Sequence, residues 1–110
     1  MEYNTVNLTG ENRDQLKTEI MFSVASERAS GTDVIRFNIK NDDEKLSSRV
    51  FTASVRILKQ MKEKRAVQFF ATPKSFFAGE REASFLINKY PELFSDFEPK
   101  EDEIFIYVKI

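Results

Sequence analysis

The sequence has no histidine, no cysteine and no tryptophan, and only three glycines and three prolines among its 110 residues. Without histidine, the usual general base near neutral pH is missing. Without histidine and cysteine together, thiol catalysis and ordinary zinc sites are excluded. The glycines stand at Gly10, Gly31 and Gly79, too far apart to build either common Gly-rich phosphate loop. None of the nine serines has a lysine three residues on, so the serine–lysine nucleophile motif is absent too. An enzyme made from this chain would have to work with carboxylates, lysine, tyrosine or a bound magnesium ion. These absences point away from an enzyme without closing that possibility, and no cofactor is expected. The longest uninterrupted apolar stretch, Ile104 to Val108, is far short of the roughly 20 residues a membrane-spanning helix needs. The opening Met1-Glu2-Tyr3-Asn4 has no basic start and no apolar run behind it. Together with the lack of cysteine, this predicts a cytoplasmic protein with no membrane partner.

What is present is a balanced globular composition, 41% hydrophobic and 32% charged, with eleven phenylalanines to build an aromatic core. One domain over residues 1–110 is expected. The apolar spacing changes period several times along it. Val6 and Leu8 alternate with Thr5, Asn7 and Thr9, a half-buried strand. Asn12 with Gln15 three residues later resembles a capping box. From there Leu16, Ile20 and Val24 step by four until Ser30-Gly31 stops the helix. Ile35, Phe37 and Ile39 alternate with Arg36, Asn38 and Lys40, a second strand. Asp42 or Asp43 caps a second helix with a stripe of Leu46, Val50, Ala53, Ile57 and Met61. A third strand is expected at Val67 to Ala71, then a helical segment ending before Tyr90-Pro91, with Phe76, Phe77, Phe85, Phe94 and Phe97 as core around it. Ser95 to Glu103 reads as an acidic surface loop. In the last strand Ile104, Ile106, Val108 and Ile110 face one way, and Phe105, Tyr107 and Lys109 the other. Helices between strands argue for a layered α/β domain. The polar alternation of the first two strands argues for an α/β two-layer sandwich with helices on one face of the sheet.

This order of elements, with several local words, resembles the small MutS-related (Smr) domain, in its short clostridial single-domain form. The matching words are Val6-Asn7-Leu8, Ser54-Val55-Arg56, the Lys62-Glu63-Lys64-Arg65 turn, and Tyr90-Pro91-Glu92-Leu93. The resemblance implies the fold of the C-terminal domain of translation initiation factor three, a mixed four-stranded sheet with the last strand antiparallel. It also implies binding to nucleic acid, DNA or RNA. The family's histidine–glycine word and glycine-rich loop follow the second strand. Here Lys40 and Asn41 occupy those places, followed by Asp42-Asp43-Glu44, so the family's nuclease chemistry is not carried over.

Charge is unevenly placed. Residues 44–82 hold nine Lys/Arg against four Asp/Glu, whereas the segments on either side are net acidic and the whole chain carries −1. At ~100° per residue, Lys45, Arg49, Arg56 and Lys59 lie opposite or beside the Leu46 stripe of the second helix. With Lys40 and Asn41 they form the candidate nucleic-acid-binding set, a row suited to tracking phosphates. The bland alternative is a solvated helix face. A second candidate is the sheet face away from the helices, where Arg36, Asn38, Gln68, Phe70, Phe105 and Tyr107 are expected to gather. Those aromatics can stack bases, pack under the third helix, or join two copies in a homodimer or other protein contact.

Overall fold

A computed structural model describes residues 3–40, 43–72, 81–94 and 103–110. In chain order the elements are β1 (Tyr3–Leu8), α1 (Arg13–Ala29), β2 (Val34–Lys40), α2 (Glu44–Glu63), β3 (Phe69–Ala71), α3 (Arg81–Lys89), a 3-10 turn (Pro91–Leu93) and β4 (Glu103–Lys109). The ends of both long helices are set by their own sequence. The Asn12 side chain accepts the Gln15 N–H at 2.9 Å, while Gln15 Oε1 accepts the Glu11 N–H at 3.0 Å, which satisfies two exposed amides. Gly31, at φ 81, closes α1: its N–H bonds the Arg28 carbonyl and the Thr32 N–H bonds the Glu27 carbonyl. In α2 the Asp43 carboxylate caps the Lys45 and Leu46 amides at 2.9 and 3.2 Å. The other end repeats the α1 device with the Ala66 N–H on the Met61 carbonyl, except that Arg65, at φ 60, stands where glycine is usual.

The four strands form one mixed sheet in the order β1-β2-β4-β3. β1 runs parallel to β2, from Tyr3 opposite Val34 to Leu8 opposite Ile39. β4 is antiparallel to both of its neighbours and lies between β2 and β3. The last strand is antiparallel, as expected.

Strand alternation divides the core in two. On one face Leu8, Ile35, Phe37, Ile39, Ile106 and Val108 meet Leu16, Ile20 and Val24 of α1 and Val50, Ile57 and Leu58 of α2. Leu16 and Ile20 are fully buried, and each such side chain contributes about 2 kcal/mol by leaving water. This is the two-layer α/β sandwich. On the reverse face Val34, Ala71 and Tyr107 meet Leu86, Tyr90 and Leu93. One-face placement thus holds for the two long helices, while the short α3 and the 3-10 turn cover one end of the opposite face. The reason is chemical: Tyr3, Val34, Phe69 and Tyr107 make the covered part apolar, whereas Thr5, Arg36 and Asn38 are polar enough to face water. Phe70 departs from expectation, since it stands opposite Val108 and packs on the main core rather than on the open face. Phe85 is 41% exposed, while Phe94 packs against Tyr107 at a ring separation of 5.0 Å. Phe76, Phe77, Phe97 and the acidic loop lie outside the described residues.

Candidate nucleic-acid interface

The buried side of α2 carries Ser47, Val50, Ser54, Ile57, Leu58 and Met61. Its opposite side presents Lys45, Arg49, Arg56 and Lys59, all exposed. From Lys45 to Lys59 the row extends about 21 Å at ~1.5 Å per residue. Ser48 and Thr52, also exposed, lie on the same side and add hydroxyls to it. Among the described residues, none of these four cationic side chains is held by a hydrogen bond or ion pair. Uncommitted cations in a line are what a chain of phosphates can use, because no existing contact has to break. The structure thus brings four of the six candidate residues together. Lys40 is the last residue of β2, opposite Glu103, and Asn41 lies outside the described residues.

The turn after α2 continues the basic surface with exposed Lys62, Lys64 and Arg65. It is fixed to α1, because the Arg28 guanidinium donates to the Ala66 carbonyl. Between the two helices a cleft of about 150 Å³ is lined by Lys17, Met21, Ile57, Gln60, Met61, Lys64 and Ala66. In the sequence this cleft is marked only by Met21, an apolar residue off the Leu16–Ile20–Val24 stripe and 49% exposed in the structure.

The uncovered part of the reverse sheet face is polar and internally bonded. Arg36 Nε donates to Thr5 Oγ1 at 3.1 Å, and the guanidinium lies 4.9 Å from the Phe105 ring centre. Asn38 Nδ2 donates to Asn7 Oδ1 at 3.2 Å. Tyr107, next to Arg36, is fully buried beneath the α3 side. Burial pushes its hydroxyl up to about 12, against the lowering pull of the Arg36 charge. Its ring is therefore occupied by internal packing and is not a stacking platform.

Asp43 is engaged in capping α2. No group of three or more carboxylates able to hold a metal ion occurs among the described residues. No described helix is long and apolar enough to cross a membrane.

Set against known protein families, curated proteins and solved structures, this chain matches none of them.

Proposed function

We propose that this chain is a non-catalytic, Smr-like cytoplasmic domain that holds the phosphate backbone of a nucleic acid on the outward face of α2. The observation that carries the reading is the uncommitted row Lys45–Arg49–Arg56–Lys59 on a chain whose net charge is only −1. A chain so nearly neutral gains no general attraction to polyanions, so its local concentration of cations sets where they bind. The mixed sheet with an antiparallel last strand agrees with the fold the Smr resemblance implies, and the loss of its histidine–glycine word supports binding without cleavage. The competing reading, self-association through the open sheet face, is weakened because Tyr107 is already buried by the chain's own α3 side.

The test is fluorescence anisotropy with labelled DNA and RNA across a salt series. Four phosphate contacts give a log–log slope of roughly −3, because each neutralised phosphate releases counterions. Arg49→Glu with Arg56→Glu is expected to abolish binding while leaving circular dichroism and urea unfolding unchanged, since both side chains are solvent-exposed. Absence of wild-type binding at low salt overturns the proposal. Salt-insensitive binding that the double variant retains moves the contact to the open sheet face.

A further inference from the structure

Resting on that reading, we infer that the α1–α2 cleft is a base subsite, so that the ligand is a single strand with one unstacked base turned into the cleft. Arg56, Gln60 and Lys64 follow one another four residues apart, so they form one line along α2. That line leads from the phosphate row to the rim of the cleft, where Gln60 and Lys64 are lining residues. A backbone held on Arg49 and Arg56 therefore passes the cleft mouth without a change of direction.

The cleft suits a flat heterocycle in size and in chemistry. Its volume of about 150 Å³ is well below the ~300–1,000 Å³ of pockets that enclose drug-sized ligands. Its floor is Ile57 and Met61, 2% and 9% exposed, and one wall is Met21, 49% exposed. Methionine thioethers are polarizable and pack favourably on aromatic rings. The Gln60 amide offers a donor and an acceptor side by side, matching the edge of a base. Lys17 on α1 and Lys64 at the C-terminal cap of α2 stand on the rim where the flanking phosphates would pass. A base paired within a duplex cannot enter, because its edge is occupied and both its faces are stacked.

The experiment compares a labelled oligothymidylate and oligoadenylate with the duplex the two form together, at one low salt concentration. Wild type is expected to bind the single strands at least tenfold more tightly than the duplex. Met21→Ala and Gln60→Ala are each expected to lower single-strand affinity roughly tenfold, about what losing one packing or hydrogen-bonding contact to the base costs, and to leave duplex binding unchanged. Both residues are solvent-accessible, so neither change threatens folding, and urea unfolding checks this. Equal affinity for single strand and duplex, or single-strand binding unaffected by both variants, overturns the base subsite. If Arg49→Glu with Arg56→Glu still abolishes binding in that case, the phosphate row stands alone. Failure of wild type to bind any of the probes overturns both.

Discussion

Arg65 adopts φ 60 at the position after α2 where the backbone must turn left-handed. A side chain there crowds its own carbonyl at a cost of about 1 kcal/mol, which glycine avoids. Arg65→Gly is therefore expected to stabilise the fold by about 1 kcal/mol, seen as a higher urea midpoint with an unchanged slope. The contrast with Gly31, which holds the equivalent place after α1, shows that the same turn is built with and without the penalty. Tyr107 makes a second residue-level prediction. Its hydroxyl titrates near 12 in the folded state against 10.0 unperturbed. Between those values the unfolded chain has released a proton that the folded chain keeps, so raising the pH favours unfolding. Stability is expected to be unaffected by this group below pH 10 and to fall as the pH rises from 10 towards 12. Tyr107→Phe should flatten that part of the urea-stability profile.

Among the elements, the join between β1 and α1 depends on one carboxylate. Glu19 accepts the Thr9 N–H at 2.6 Å, the Thr9 hydroxyl at 3.0 Å and the Gly10 N–H at 3.1 Å. Gly10 leaves little room for a side chain, since a Cβ would lie 3.0 Å from the Leu16 nitrogen. Glu19→Ala leaves the strand end unanchored and is expected to cost about 2 kcal/mol in thermal or urea unfolding, as charge-assisted bonds to amides do. Neither feature was legible in the sequence, because Glu19 looks like any solvated helix residue until the chain folds back on it. What was legible had a period: the Leu16–Ile20–Val24 stripe, the Asn12 cap, and the Ile104–Ile110 alternation each reported their buried side directly. β3 resisted reading, because Phe69-Phe70-Ala71 is apolar on both sides and an apolar run does not say which residue faces which layer. The basic row of α2 was legible since one helix supplies all of it. The adjoining cleft was not, since it exists only where two helices meet.

At the scale of the whole molecule, β4 comes last of the described strands yet lies inside the sheet, with β2 on one side and β3 on the other. Seven residues of β2, Val34 to Lys40, find their antiparallel partners only in Lys109 to Glu103, and the Ile110 N–H completes the edge on the Asp33 carbonyl. The order of synthesis therefore differs from the order of the strands across the sheet. A chain emerging from the ribosome can close β1, α1, β2 and α2 into a partial layer. It then waits, with the β2 edge unpaired, for residues about seventy positions further on. Such sequence-distant pairing slows folding and leaves an edge open to other chains in the meantime. A chain stopped at residue 102 is expected to show helical circular dichroism with no cooperative urea transition, and adding a peptide of residues 103–110 should restore one. The interior position of β4 thus makes the finished sheet all-or-none, with the final strand acting as the closing step of folding.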